Sequence, residues 1–273
     1  MRTTSFFWAA ALMLLLSTTS WANTIYVNDS SKNWSGYSLS STYTSDVIGT
    51  PNITKIGFTF SNNSLTSIMV DFNLPTRNNV SEWNTLRIKP GDFFIDTNSD
   101  KTWDYVIHNP TNLVYKTTGP SNYFAIKSSN VSTTWSVYKT NISYLTKNDI
   151  KNTSLYNMST VFEPNQNSYD WRKNHPIQAA TSSLLNAQVT DTASVIWPET
   201  AAYNTKDIFA TWDLGTGLSL SGKTITVAFT VSCANDVFFE TFNVPNPEPV
   251  SVLLIGAGLA GIACLPKRRR RRM

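Results

Sequence analysis

The feature that most constrains the fold of this sequence is a ten-residue run, 224–233, in which apolar side chains alternate with small, mostly polar ones. The apolar members are Ile225, Val227, Phe229, Val231 and Cys233, and the residues between them are Thr224, Thr226, Ala228, Thr230 and Ser232. A period of two sends the two sets to opposite faces of a β-strand. The run therefore predicts a strand with one face buried in a core.

A second pattern predicts a β-hairpin earlier in the chain. Residues 56–60 and 68–74 alternate on either side of Ser61-Asn62-Asn63-Ser64, and Asn tolerates the positive φ that tight hairpin turns require. Further short runs between turn residues are 92–95, 103–108, 112–116, 123–127, 135–139, 194–197 and 207–213. Charged residues make up only 15% of the chain, and Asn, Ser and Thr, which are poor helix formers, are abundant. We therefore expect an all-β fold with a single β-sandwich domain over residues 23–244, less regular over 141–167.

The two ends of the chain have the composition of targeting segments. Arg2 precedes an apolar run over 6–16, and Ser20-Trp21-Ala22 places small side chains at −3 and −1 of a cut before Asn23. This pattern predicts a secretory signal peptide over residues 1–22. At the other end, residues 250–265 are apolar or small and lead into a basic cluster. We expect a short transmembrane helix there, with the basic cluster kept in the cytoplasm according to the positive-inside rule.

The basic residues of that cluster explain the net charge of +4. They are Lys267, Arg268, Arg269, Arg270, Arg271 and Arg272. With Arg2 they account for seven of the 22 basic residues, which leaves 15 against 18 acidic residues in between. The positive charge therefore belongs to the chain ends, and nucleic acid is not expected as a partner.

The order of features at this end resembles the PEP-CTERM sorting signal of Gram-negative bacteria. Pro247, Glu248 and Pro249 stand before the glycine-containing apolar segment and the arginine cluster, so that residues 245–273 contain all three parts. In that family an exosortase, an integral-membrane peptidase, is thought to recognise the Pro-Glu-Pro end and remove the anchor in bacteria that often make exopolysaccharide. The resemblance implies an exosortase partner, a transient stay in the cytoplasmic membrane, and a final place on the outer surface or in the matrix.

Two further segments are similar to parts of exosortase-dependent surface proteins. They are Trp171 to Pro176 and Cys233-Ala234-Asn235-Asp236-Val237. The resemblance implies a shared sandwich and no particular chemistry.

The best candidate for a ligand site is the segment 96–104. Asp96, Asn98, Asp100 and Asp104 supply oxygens at relative positions 1, 3, 5 and 9, as in a calcium-binding loop. The loop departs from that pattern because Lys101 stands where Gly is usual and no glutamate occupies position 12. The alternative is a β-turn in which Asp and Asn cap the loop. Calcium is the only cofactor that the sequence suggests.

Catalytic and zinc sites are not expected. Two histidines and two cysteines are too few for a usual zinc site, and no Gly-x-Ser-x-Gly nucleophile motif occurs. His108 precedes Asn109-Pro110 and is expected in a surface turn, while His175 is expected at the entry to a strand. Cys233 falls on the same alternating positions as the apolar residues of its run. Its thiol is therefore predicted to be buried and unreactive.

The tryptophans leave two interpretations open. Those of the expected mature chain are Trp34, Trp83, Trp103, Trp135, Trp171, Trp197 and Trp212. They either pack in the core or form an exposed aromatic row that binds sugar rings. We expect mainly core packing, and hence a non-enzymatic exported surface or matrix protein associated with exopolysaccharide or biofilm. The alternatives are a carbohydrate-binding or adhesive module and, less favoured, a secreted hydrolase.

Overall fold

The computed structural model describes thirteen ranges and single positions of one compact unit, Ala22–Pro245, and one residue outside it. They are residues 22–30, 52–61, 63–73, 90–110, 113–118, 121–126, 131–143, 179, 184, 187–198, 207–220, 222–231 and 236–244, together with the helical residue 258. Most of the predicted signal peptide and sorting signal, including Pro247, Glu248, Pro249 and residues 267–272, lies outside the described residues, as do His175 and Cys233. Among the described residues, no helix has the length and hydrophobicity needed to cross a membrane.

The described part of the unit is built from β-strands. They are β1 (Asn23–Asn28), β2 (Asn52–Ser61), β3 (Ser64–Asn73), β4 (Pro90–Asp96), β5 (Thr102–His108), β6 (Leu113–Thr118), β7 (Ser121–Ile126), β8 (Thr134–Ser143), β9 (Gln188–Ile196), β10 (Asp207–Ser219), β11 (Thr224–Val231) and β12 (Val237–Asn243). Ten of them form one sheet in the order β1-β2-β3-β10-β9-β8-β5-β4-β11-β12, and β6 and β7 form a separate hairpin. Every pairing of neighbours is antiparallel.

The all-β prediction is confirmed, whereas the arrangement differs from two stacked sheets. The ten strands form one continuous sheet that is nearly closed into a barrel. Strand periodicity specifies which face of each strand is apolar, but it does not specify where a sheet ends. A strongly curved single sheet and a pair of facing sheets bury their apolar faces equally well.

The two strongest local patterns both form strands at the predicted positions. The hairpin of β2 and β3 turns at Asn63, whose φ is 69°. The alternating run forms β11 over Thr224–Val231, but residues 225–231 are all buried, so the expectation of one solvent-exposed face is wrong. β11 lies between β4 and β12, and β4 is likewise buried along its whole length. The sheet is therefore covered on both faces in this region.

Aromatic rings fill the main core. Trp212 of β10 packs edge-on against Phe93 of β4, with ring centroids 4.8 Å apart, and against Trp135 of β8 at 5.7 Å. Phe93 also stacks on Phe229 of β11 at 4.3 Å. Strands distant in the sheet order thus meet through a few large rings, and full burial of one such side chain contributes about 1.5–3 kcal/mol.

A buried carboxylate stabilises a bulge at which the hydrogen-bonded ladder of β10 is interrupted. The register of β10 against β3 shifts between Asp213 and Leu218, and Gly217 adopts a φ of 80° within this bulge. The Asp191 carboxylate of β9 accepts hydrogen bonds from the N–H groups of Thr216 and Gly217, at 2.9 and 2.8 Å for Oδ2. The side chain thus satisfies N–H groups that the irregular strand would leave without a ladder partner.

Side chains also join the two ends of the sheet, a region we call the seam. No main-chain pairing between β1 and β12 occurs in the part of the chain that is described. Instead, the buried Asp236 carboxylate accepts the N–H of Ile53, at the start of β2. Glu240 of β12 accepts both the N–H and the hydroxyl of Ser30, at 2.9 and 2.6 Å. The Phe58 ring of β2 packs on Phe242 of β12 at 4.8 Å. The seam therefore depends on two carboxylates and an aromatic contact.

Candidate functional site

The candidate calcium loop connects β4 to β5 and is dense in hydrogen bonds. Asp96 Oδ1 accepts the N–H groups of Asn98 and Ser99 at 3.0 and 2.7 Å, and Oδ2 accepts that of Lys101 at 3.1 Å. Ser99 and Lys101 have φ values of 60° and 68°. The loop therefore turns through two left-handed residues without a glycine, and the Asp96 carboxylate holds the backbone in that shape.

The other three candidate ligands also bond within the loop. Asp104 Oδ2 accepts the N–H and the hydroxyl of Thr97 at 2.7 and 2.6 Å. Asn98 donates its side-chain amide to Asp100 Oδ2 at 3.0 Å and accepts the Asp100 N–H at 3.1 Å. The four residues therefore lie together at the β4–β5 connection, Asp96 at the end of β4 and Asp104 within β5. Their hydrogen bonding is that of the turn alternative, and calcium binding stays a prediction.

His108 lies in a different setting from the expected surface turn, and that expectation is wrong. It is the last residue of β5, and its side chain is only 14% exposed. Its Nδ1 lies 2.8 Å from Oδ2 of Asp92, which is fully buried. Asp92 also accepts the N–H groups of Asn109 and Ala179, each at 2.8 Å. One carboxylate thus binds an imidazole and two backbone segments far apart in sequence.

The environment of His108 raises its pKa above the ordinary value. Burial lowers the pKa because it disfavours the charged ring, but the negative charge of Asp92 and the hydrogen bond to it raise the pKa and together outweigh burial. The protonated ring is therefore better stabilised in the folded chain than in the unfolded one. The His108 and Tyr138 rings also pack in a T-shaped arrangement, with centroids 6.0 Å apart.

The described tryptophans lie in the interior. Trp103 and Trp212 are fully buried, Trp135 is 1% exposed and Trp197 8%. An exposed tryptophan row for sugar binding is therefore not formed by these four residues. Trp34, Trp83 and Trp171 lie outside the described residues.

Asp92, Asp191 and Asp236 have buried carboxylates that we did not predict from the sequence. Each accepts hydrogen bonds from backbone N–H groups. A signal for Asp191 was present in Gly215-Thr216-Gly217, because glycines inside a strand often mark a bulge. Asp236 belongs to the segment that resembles exosortase-dependent surface proteins, and it has a structural position in the seam.

In the ranges that the structure describes, no group of three or more His, Cys, Asp or Glu side chains is placed to hold a metal ion. A scan against protein-family models and searches of curated proteins and of solved structures found no match to this chain.

The His108–Asp92 pair predicts a specific pH dependence of stability. Below the ordinary histidine pKa of about 6.5, the ring is protonated in the folded and unfolded chains, and its stabilisation by Asp92 is fully present. This contribution is lost as the pH rises through the higher pKa of the folded state. We expect His108→Gln to lower the melting temperature more at about pH 5.5 than at about pH 9. An equal loss at both pH values, or a larger one under alkaline conditions, would contradict the pairing.

Calcium binding is tested by thermal melting of the full chain. If the loop binds calcium with a Kd near ~0.1 mM, addition of ~1 mM should stabilise the fold by about 1.4 kcal/mol. Asp100→Asn keeps a side-chain oxygen for the Thr102 N–H but removes the charge and the exposed bond from the Asn98 amide. It should therefore melt slightly below wild type without calcium and respond less when calcium is added. Absence of a shift in wild type, or an equal shift in Asp100→Asn, would leave the loop as a turn.

Proposed function

We propose that this chain is a non-enzymatic exported protein of the cell surface or extracellular matrix, whose C-terminal end is a sorting signal processed by an exosortase. The observation that carries the proposal is the order Pro247-Glu248-Pro249, apolar segment and arginine cluster after the last strand. β12 ends at Asn243, four residues before Pro247. The motif recognised by a membrane peptidase would therefore follow the last strand by only a few residues in sequence.

The limits of the described strands support the proposed processing at both ends. β1 begins at Asn23, the first residue after the expected signal-peptide cut. A cut there would leave the strands intact, and so would removal of the segment after Pro249. Export, arrest in the cytoplasmic membrane and release would then deliver the whole β domain to the surface, where exopolysaccharide is the expected partner.

The use of the buried carboxylates supports a non-enzymatic role. Asp96, Asp191 and Asp236 direct their oxygens at backbone N–H groups and hold turns, a bulge and the seam. Groups committed in this way stabilise a particular backbone geometry. A structural or adhesive module needs such a scaffold, and the sugar-binding alternative would have to use aromatic residues other than the four buried tryptophans.

Substitution of the sorting motif tests the proposal in a bacterium that makes an exosortase. Glu248→Ala and Pro249→Ala should leave export intact but keep the protein in the cytoplasmic membrane fraction, because the motif is read only after the apolar segment has stopped transfer. Pro245→Ala, two residues before the motif, is the matched control and should be released normally. Normal release of both motif variants would leave the segment as a plain tail anchor.

A further inference from the structure

The solvent-facing side of five neighbouring strands, β1, β2, β3, β10 and β9, carries exposed apolar side chains. Within the described ranges four large apolar side chains are at least half exposed, and three of them lie on this side of the sheet. They are Tyr26 of β1 at 56%, Phe209 of β10 at 50% and Ile196 of β9 at 64%. Large apolar side chains gathered on one exposed face are typical of a binding surface.

Strand register places two of these side chains at the ends of one row across the sheet. Tyr26 is opposite Gly57, Gly57 is opposite Met69, Met69 is opposite Thr211, and Thr211 is opposite Ile196. Directly paired residues project to the same side of a sheet. These five residues, which we call the apolar row, therefore run across the strands from β1 to β9. Four inter-strand spacings give the row a length of about 19 Å.

Two aromatic rings are presented to solvent along this row. The Tyr26 ring lies over Gly57, where an added Cβ would come within 3.0 Å of the ring. Because Gly57 has no side chain, the ring packs closely on β2 while more than half of Tyr26 stays exposed. Phe209 lies two residues from Thr211 on β10, and it is therefore next to the row. The rings stand on β1 and β10, with β2 and β3 between them.

A row of hydroxyl groups and one carboxylate flanks the apolar row. It consists of Thr24, Thr59, Ser67, Asp213 and Ser194, which are paired across the same five strands. The Thr24 and Thr59 hydroxyls lie 2.9 Å apart, and the Ser67 hydroxyl donates to Asp213 at 2.7 Å. A hydroxyl can donate one hydrogen bond and accept two, so this hydroxyl row keeps bonding capacity for a ligand.

The charges around the apolar row nearly cancel. The row on its other side consists of Asn28, Lys55, Asp71 and Phe209. Lys55 Nζ lies 3.6 Å from Asp71 Oδ2, so these two charges compensate each other. Asp213 is the remaining charged residue of the three rows. A polyanion or an acidic lipid surface would therefore meet no cluster of cations here.

From this pattern we propose that the apolar row binds a neutral polysaccharide chain that lies across the strands. Sugar rings carry C–H groups on their faces and hydroxyls at their edges. Their faces stack on the exposed rings of Tyr26 and Phe209, and their hydroxyls bond to the hydroxyl row. Small ligands are usually enclosed in a pocket, whereas a row of about 19 Å with exposed ends suits a polymer.

A protein partner fits this face less well. The centre of a protein interface is continuously apolar and depleted of charge. Here Gly57 and Thr211 separate the apolar side chains, and the Lys55–Asp71 ion pair lies directly beside them. The alternation of apolar and hydroxyl rows matches the two-sided chemistry of a sugar chain instead.

The inference deepens the proposed function, because it names the chemical class of the expected exopolysaccharide and the surface that contacts it. The place of this contact at the cell surface rests on the proposed function. The binding itself depends only on the described strands, so it can be measured without any step of export or sorting.

An array of immobilised polysaccharides tests the proposal with the full chain. The probes are neutral glucan, mannan and galactan polymers, with alginate as the acidic polymer. We expect wild type to bind at least one neutral polymer, and to keep that binding at high salt because no charge is involved. Tyr26→Ser and Phe209→Ser should each weaken it by roughly 3- to 10-fold, through loss of an aromatic contact. Tyr26→Phe keeps the ring and should bind as wild type.

A matched pair of substitutions on β9 is the control. Ile196→Ser removes an apolar end of the row and should weaken binding, whereas Val189→Ser, at an equally exposed position seven residues away, should not. The melting temperature of each variant shows that it is folded.

Three results would overturn the proposal. They are the absence of binding to every neutral polymer, equal losses in Ile196→Ser and Val189→Ser, and binding to alginate alone that disappears at high salt, which would assign it to the basic residues 267–272. Sedimentation covers the other occupant, because a dimer that Phe209→Ser dissociates, without polysaccharide binding, would assign this face to a second copy. Cell fractionation of the sorting variants is a separate readout, so the two proposals can fail independently.

Discussion

The hydrogen bond from the Ile53 N–H to the buried carboxylate of Asp236 is the constraint on which the nearly closed form of this sheet depends. A ten-stranded antiparallel sheet has two ends, and in the described residues these ends are not joined by main-chain pairing. A carboxylate taken out of water is costly unless its oxygens are bonded. Asp236 meets that requirement with the N–H groups of Ile53 and Val237. That bond fixes the start of β12 against β2. Phe58 of β2 and Phe242 of β12 then pack against each other at the seam.

Buried carboxylates also bind backbone N–H groups at three other irregular points of the described chain. Asp191 binds the N–H groups of the β10 bulge, and Asp96 binds those of the loop after β4. Asp92 binds Asn109 just beyond β5 and Ala179 from a distant part of the chain. Backbone N–H groups that strand pairing leaves unsatisfied need another acceptor when they are buried. A small number of carboxylates thus stabilises these particular irregular points, while the aromatic core packs the regular strands together.

The sequence was sufficient for features that depend on local periodicity. Alternation located β11 and the β2–β3 hairpin, and Asn62-Asn63 marked its turn, since these signals involve neighbouring residues only. Alternation could not show that β11 is buried on both faces, because Thr226 and Thr230 belong to its polar set and are buried by tertiary packing. It also could not separate one curved sheet from two stacked sheets, which have the same strand faces.

The environment of His108 could have been predicted from the sequence by extending the register of the β4–β5 hairpin. Phe93 pairs with Ile107 across the β4–β5 hairpin, so Asp92 and His108 are the next residues along the two strands. The register of this hairpin follows from its loop, and a register carried outward from residues 97–101 would have placed the carboxylate beside the imidazole. The contact of Asp92 with Ala179, 87 residues away in sequence, had no comparable signal.

Hydrogen–deuterium exchange on the full chain and on Asp236→Asn tests the seam most directly. Loss of the carboxylate charge should weaken the hold on Ile53 by about 1–3 kcal/mol, the usual cost of a disturbed buried hydrogen bond. Amides of β1, β2 and β12 should then exchange faster than in wild type, while those of β8 and β9, on the far side of the sheet, keep their protection. Uniform acceleration across all strands, or no change in β1, β2 and β12, would contradict the account in which Asp236 closes the sheet.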